Sequence, residues 1–331
     1  MRIGLIGAGR IGTLHAGVLS AIDAVDELVI VDVEADRAKS LAEKLGVSHL
    51  DRPHDVFDKV DAVVIASSTE THSPYLIQAA AADVPAFCEK PISIDLESTD
   101  RAAAAVHESG IAVQMGFMRR FDPGYVAAHE AVAEGVVGDL LLVAAQTHDL
   151  EPPPEDYIAI SGGIFTDMLI HEFDIIRFVT GSEFVDVAVT GTTNALPVFD
   201  RYGDFGTVVV AAHLANGALA MIAGVRTDAI GYDIRMEVFG TADSVAVGLG
   251  PHTPIRTLEP GLDLPRPPAI AGWTERFGFA YGAEMEAFIR LVADGAASPC
   301  TVGDARTALV VAEACRKAAA EQRPVRIEEI G

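Results

Sequence analysis

The sequence predicts two α/β domains in series. The first is a parallel sheet covered on both faces, and the second holds longer antiparallel strands closed by two helices. Three observations carry this. Short runs rich in Val and Ile alternate with helical stretches as far as residue 117. A glycine-rich hexapeptide, GAGRIG (7–12), sits where the first run gives way to the first helix. Beyond residue 140 the strand-like runs lengthen, and several are joined by turns of a few residues.

IGLIGAG (3–9), LVIVDV (28–33), AVVIASS (62–68), AFCEK (86–90) and AVQMGF (112–117) read as buried strands, being short, β-branched and bounded by turn residues. IGTLHAGVLSAI, DRAKSLAEKLG, THSPYLIQAAAA and DLESTDRAAAAVHESG read as the helices between them. Strand, helix, strand at this spacing means βαβ units and a parallel sheet. LLLVAAQTHD (140–149), FVDVAVTGTT (184–193), GTVVVAAHLA (206–215), ALAMIAGVRTD (218–228) and IRMEVFGTADSVAVGL (234–249) follow, with hairpin turns at ANG (215–217) and GTAD (240–243). Residues 280–295 and 303–322 read as closing helices, and 151–157 and 258–268 as proline-rich loops. The pattern changes at 117–121, which sets domains of 1–119 and 120–331.

The 331 residues suit about two domains. A net charge of −24 repels polyphosphate backbones, so nucleic acid is not an expected partner. Three scattered cysteines, Cys88, Cys300 and Cys315, suggest neither a disulfide framework nor a zinc site and point to a reducing, cytoplasmic setting. The opening residues lack the unbroken apolar run of a signal peptide. No apolar stretch approaches the roughly 18 residues of a membrane helix, so no membrane partner is expected.

GAGRIG fits G-x-G-x-x-G in the first βα turn, the context that makes this motif specific. Gly7 permits the tight turn, Gly9 lets the backbone approach a pyrophosphate, and Gly12 lets helix and strand pack closely. Arg10 and Ile11 complete the loop and open the helix, whose free N–H groups favour an anion. Asp32 follows Gly12 by twenty residues, at the end of the second strand. An acid there accepts hydrogen bonds from the ribose hydroxyls and repels a 2′-phosphate, which favours NAD over NADP. Arg37 works against that preference.

Glu89 and Lys90 end the fourth predicted strand in CEKPIS (88–93), and sheet ligands sit beyond the carboxyl ends of strands. Pro91 keeps Lys90 out of helix geometry. The alternative is an ordinary exposed Glu–Lys pair.

SGGIFTDMLIHEFD (161–174) is apolar enough for a buried helix, yet carries Asp167, His171 and Asp174. Read as one helix, positions i, i+4 and i+7 share a stripe within roughly 60°. Ile170, Phe173 and Ile176 then hold the core, and Gly162 and Gly163 allow close backbone approach. A hydrogen-bonded polar patch and a chemical site are both open readings. Asp-x-x-x-His also has metal-ligand spacing, but no HExxH, cysteine or third ligand supports it, so no metal is expected.

G-x-G-x-x-G at 7–12, E-K-P at 89–91 and G-G-x-x-x-D-x-x-x-H at 162–171 together resemble the Gfo/Idh/MocA oxidoreductases. The likeness spans nearly the whole chain, through MRIGLIGAGRIGTLHA, VQMGFMRRFDPGY, SGGIFTDMLIHEFDIIRF and TVGDARTALVVAEAC. MRRFDPGY and SGGIF…HEFD lean towards the inositol 2-dehydrogenase branch. The resemblance implies a Rossmann domain plus an α/β domain on a large, mostly antiparallel sheet. The open face of such a sheet makes a homodimer interface, often within a homotetramer. It implies Lys90, Asp167 and His171 as the catalytic group, also touching substrate, with Arg120, Asp174 and Tyr232 contacting a polyol. Ser67 and His72, in SSTETHSPY, would lie with Glu89 and Lys90 on the cofactor side.

The implied activity is NAD-dependent oxidation of a secondary hydroxyl of a cyclic polyol to a ketone, foremost myo-inositol to an inosose. The same chemistry on a pyranose or an amino-cyclitol, and a non-catalytic NAD-binding regulator, are the alternatives. Histidine is the natural base for the hydroxyl proton. His171 takes that role, Asp167 orients its imidazole, and Lys90 favours the developing alkoxide. Arg120 and Asp174 hold neighbouring hydroxyls. His15, His54, His129, His213 and His252 show no partner pattern and read as surface or structural histidines. Trp273, Phe277, Tyr281 and Glu284 are assigned to core packing.

Overall fold

The computed structural model describes residues 1–261 and 270–331. Of the expected proline-rich loop 258–268, residues 262–268 lie outside them. The chain divides into two compact units, Met1–Phe121 with Phe279–Thr307, and Asp122–Gly278 with Ala308–Gly331. Among the described residues no helix is long and apolar enough to cross a membrane.

The first unit contains β1 (Arg2–Ile6), α1 (Arg10–Leu19), β2 (Glu27–Val31), α2 (Ala35–Leu45), β3 (Ser48–Leu50), β4 (Ala62–Ile65), α3 (His72–Ala81), β5 (Ala86–Glu89), α4 (Leu96–Ser109) and β6 (Val113–Gly116). Its sheet runs β3-β2-β1-β4-β5-β6, every pair parallel. β4 to β6 are buried at every residue, as a sheet covered on both faces requires. β3 has no counterpart in the sequence reading, because three residues with a central His49 give no period to detect. Strand order reverses between β1 and β4, the point where ligands bind in such sheets.

One assignment differs. The sequence reading gives everything after residue 119 to the second domain, whereas residues 279–307 pack with the first unit. Met285, Phe288, Ile289 and Leu291 share one buried core with Ile3, Leu5, Leu28 and Phe87. Chain position could not show this, since the contact joins residues nearly 290 apart.

The second unit begins with α5 (Pro123–Ala133), another element the sequence reading lacks. Its signal was present: Asp122 caps the helix through Gly124 N–H at 3.0 Å, and Pro123 occupies the first turn. Then come β7 (Leu140–His148), α6 (Glu155–Ile158), α7 (Gly163–Asp167), α8 (Ile170–Thr180), β8 (Phe184–Thr192), β9 (Thr207–Leu214), β10 (Leu219–Val225), β11 (Asp233–Gly240) and β12 (Ser244–Val247). Helices α9 (Trp273–Asp294) and α10 (Val302–Glu321) and the short β13 (Val325–Arg326) end the chain. The sheet runs β12-β11-β7-β10-β9-β8-β13 and is antiparallel except for the β7–β10 pair. Burial alternates along β9 and β10, so Val208, Val210, Ala220 and Ile222 face the core while Val209, Leu219 and Met221 are exposed.

The segment 161–174 is not one helix. α7 stops at Asp167, and Met168 and Leu169 turn, both sending their N–H groups to the Ile164 carbonyl at 3.2 and 2.9 Å. α8 starts afresh at Ile170. Asp167 therefore lies on a different helix from His171 and Asp174, and the single-stripe geometry does not hold.

At Gly12 an added Cβ would lie 2.0 Å from the Gly7 carbonyl oxygen, inside the turn between β1 and α1. Gly12→Ala is expected to cost about 1–3 kcal/mol of stability. Urea unfolding followed by circular dichroism would show it as a lowered midpoint.

Candidate active site

In the first unit the glycine turn is held from two directions. Gly7 has φ 107° and donates its N–H to the Val31 carbonyl at 2.8 Å. An added Cβ there would meet the Ala66 carbonyl at 2.5 Å. At Gly9 an added Cβ would meet nothing within 4 Å. So Gly7 and Gly12 are glycine for internal packing, while Gly9 borders open space at the start of α1. No side chain caps that helix, and the N–H groups of its first turn, at Arg10, Ile11 and Gly12, are available to an anion. Open space before an uncapped N-terminus fits a dinucleotide pyrophosphate.

Asp32 is buried just beyond β2. Its carboxylate accepts from Ala8 N–H at 2.7 Å and Glu34 N–H at 2.9 Å. It thereby ties the glycine turn to the second strand and has lone pairs that could accept from ribose hydroxyls. Arg37 stands 4.0 Å from Asp32 and 2.7 Å from Glu34, so its charge is already shared between carboxylates.

Lys90 is half-buried after β5, joined to Pro91 by a cis peptide. His72, fully buried at the start of α3, bridges the two neighbouring turns. Its Nδ1 lies 2.8 Å from the Pro91 carbonyl and its Nε2 3.0 Å from the Ser67 carbonyl. Burial pushes its pKa below the ordinary histidine value, against the pull of those carbonyls. A neutral imidazole has one N–H to give, so it donates to one of the two. Arg120, also in this unit, donates to the Pro299 carbonyl at 3.0 Å and pairs with Asp304 at 3.2 Å. Burial alone would raise the Asp304 carboxyl, but Arg120 and the Thr301 hydrogen bonds outweigh it and hold it below its usual value.

The second unit holds Asp167, His171, Asp174 and Tyr232. Gly162 and Gly163 both take positive φ, 81° and 80°, at the entry to α7. Asp204 receives the Ile164 N–H at 2.9 Å there, and Arg316 of α10 donates to the Gly162 carbonyl and to Thr166 Oγ1 at 3.0 and 2.8 Å. Asp167 accepts from Tyr157 Oη at 2.9 Å and from Arg226 Nη1 at 2.9 Å. Arg226 is 2% exposed and lies 3.8 Å from Asp149 and 3.9 Å from Asp204. Burial by itself would lower its pKa; Asp167 first, then Asp149 and Asp204, more than offset this and raise it. His171 is half-buried on the first turn of α8, and Asp174 is buried one turn on. Glu172, between them, is buried and accepts from Thr147 Oγ1 on β7. Tyr232 is buried just before β11.

Two groups escaped the sequence reading. Arg226 was legible: Ala220, Ile222 and Gly224 face inward along β10, and Arg226 continues that alternation two residues on. An inward arginine demands carboxylates. His148, Asp228 and Asp233 come together at the ends of β7 and β11, with His148 Nδ1 3.1 Å from Asp228 and Arg235 paired to Asp233 at 2.8 Å. No local spacing announces that grouping.

Residues 1–117 match the Gfo/Idh/MocA oxidoreductase family with its NAD-binding Rossmann fold, and residues 125–246 match the Gfo/Idh/MocA C-terminal domain. The chain belongs to this family. It is 38% identical over 334 aligned positions to a myo-inositol 2-dehydrogenase of Thermotoga maritima, covering 100% of this chain and 99% of the relative. A crystal structure of a probable dehydrogenase from Thermotoga maritima superposes with TM-score 0.93 at 36% identity, covering all of both chains. A scyllo-inositol dehydrogenase of Lactobacillus casei, with bound NAD(H) and scyllo-inositol, superposes with TM-score 0.89 at 27% identity over 99% of each chain. A Gfo/Idh/MocA oxidoreductase with these two sheets is an NAD-dependent dehydrogenase by family.

Replacing Arg226 by Met removes the buried guanidinium that pairs with the Asp167 carboxylate. The expected loss is about 3–5 kcal/mol, read as a lowered melting temperature. Arg226→Lys, which keeps the charge but not the planar fork, should fall between the two.

Proposed function

We propose that this oxidoreductase converts a secondary hydroxyl of a cyclic polyol to a ketone, foremost myo-inositol to an inosose, with NAD⁺ as oxidant. The observation that carries the reading is that Lys90, Asp167 and His171 all stand in a chain matched end to end by a myo-inositol 2-dehydrogenase. That relative is named for myo-inositol and the Lactobacillus casei enzyme for scyllo-inositol, so the stereoisomer is a matter for assay.

Bound NAD⁺ supplies the acceptor for the hydride. Gly7, Gly9, Arg10, Ile11 and Gly12 receive its pyrophosphate, Asp32 its adenosine ribose, and Ser67, His72, Glu89 and Lys90 its nicotinamide end. His171 takes the hydroxyl proton. Asp167, oriented by Arg226 and Tyr157, steadies the imidazole and its positive charge. Lys90 lowers the energy of the developing alkoxide. Arg120, Asp174 and Tyr232 hold the remaining hydroxyls and select the carbon that reacts. The three cysteines, all buried and outside any disulfide, suit a cytoplasmic protein. Val209, Leu219 and Met221 leave an apolar stripe on the open sheet face, which suits self-association as a dimer or tetramer.

NADH formation with NAD⁺ and a panel of cyclitols and pyranoses, with NADP⁺ in parallel, tests the reading. Turnover with myo-inositol and NAD⁺ is expected; silence on every polyol and keto-polyol, with NAD⁺ still bound, would sink it. His171→Ala and Lys90→Ala should each lower kcat by roughly 10²- to 10⁴-fold, while Asp32→Ala should chiefly raise KM for NAD⁺. Met221→Glu places a charge on the apolar stripe and should shift the protein to a smaller species in analytical ultracentrifugation.

A further inference from the structure

Glu284 of α9 has no exposed surface. Among the described residues neither of its carboxyl oxygens has a hydrogen-bond partner. It is aimed at a pair, since one of its oxygens lies within 4.8 Å of ligand atoms of both His15 and Glu89. His15 of α1 is also fully buried, and its Nε2 meets Glu89 Oε1 at 2.7 Å. Phe87 and Tyr281 close edge-on over the His15 ring at 5.3 and 5.8 Å. From β6, Gln114 donates its side-chain amide to the Glu284 main-chain carbonyl at 2.8 Å. Among the described residues the titratable groups grouped with Glu284 are Glu89 from β5 and His15 from α1, with Tyr281 of its own helix against the His15 ring.

A buried carboxylate without a partner is far costlier than the neutral acid. Burial first, then the charge of Glu89, push the Glu284 carboxyl well above its ordinary range. The neutral acid has an O–H to turn towards Glu89, whose carboxyl group has an oxygen within 4.8 Å of one on Glu284. Glu89 in turn anchors its own turn, accepting the Lys90 main-chain N–H through Oε2 at 3.3 Å.

We propose that Glu284 and His15 are positioning residues for Lys90: together they hold the Glu89 carboxylate from behind, and with it the turn that carries Lys90, for as long as Glu284 keeps its proton. Ionisation would set two carboxylates side by side in a dry core and drive Glu89 off its turn. The folded-state pKa of Glu284 lies above its unfolded value of 4.5, so its stabilising contribution is complete below that pH and is lost as pH rises towards the folded value. An amide at this position donates as the acid does and has no proton to lose. Only the kinetic part of the following test rests on the dehydrogenase reading.

The test compares wild type, Glu284→Gln and Glu284→Ala by infrared difference spectroscopy, by melting against pH and by steady-state kinetics. Wild type should show the carbonyl band of a protonated acid at neutral pH, missing in Glu284→Gln. Its melting temperature should fall more steeply on the alkaline side than that of Glu284→Gln. Glu284→Ala should lose kcat on the order of a hundredfold, with KM for the polyol little moved, and Glu284→Gln should regain most of it. No acid band in wild type, parallel pH profiles, or no rescue by Gln would each overturn the proposal. So would a stoichiometric divalent metal in the purified protein, which would make these three side chains ligands instead. If the variants fail to fold, titration of the wild-type band decides. If no polyol is turned over, the rate of Lys90 reductive methylation replaces kcat: faster in Glu284→Ala than in Glu284→Gln supports the proposal, and equal rates overturn it.

Discussion

A guanidinium shut away from water has to be neutralised where it stands, and the polar architecture of the second unit follows from meeting that demand at Arg226. Asp167 does most of it, and Asp149 and Asp204 share the rest. Each of these carboxylates has a second duty. Asp204 receives the Ile164 N–H in the first turn of α7, Asp149 follows β7, and Asp167 ends α7 just before the turn that leads to His171. One buried cation thereby ties the end of β10 to a short helix that has little stability of its own. Asp167 stays an acceptor fixed in direction by Arg226 and Tyr157.

The first unit is organised by a different constraint, the crowding of backbone on backbone. Gly7 and Gly12 are pressed against carbonyl oxygens that leave no room for a β-carbon, while Gly9 faces open space. Asp32 reaches back to Ala8 and holds the turn in this shape. Sterics fix the glycine turn of the first unit, and charge compensation fixes the polar core of the second. A mutation in the first acts through a clash, and one in the second through an unpaired charge.

That contrast also explains what could be read from the sequence. The glycine turn is local: strand, three glycines and Asp32 fall within a few dozen residues, and spacing suffices to identify them. The antiparallel hairpins announced themselves through alternation and turn residues for the same reason. The break at Met168 and Leu169 was invisible, because it comes from α7 being held by Asp204 and Arg316, residues about 40 and 150 positions away. Glu284 read from the sequence as part of a core-packing helix, with no partner named for its charge. Its burial against Glu89 and His15 is a tertiary fact that no periodicity encodes. Local geometry was legible, and long-range charge pairing was legible only where, as at Arg226, a charged residue continued an inward-facing row.

The contribution of residues 279–307 to the first unit bears on how the protein is made. Domains usually fold as they leave the ribosome, the N-terminal one first. Here the cofactor unit lacks Met285, Phe288 and Leu291, part of its core, until residue 291 has been synthesised. The second unit in turn waits for residues 308–331. The first unit stays unfinished until residue 307 has been made and the second until residues 308–331 follow, so the nascent chain carries unfinished apolar surfaces on both units as far as residue 307. A fragment cut at the apparent boundary near residue 120 would be an incomplete body rather than a small dinucleotide-binding module.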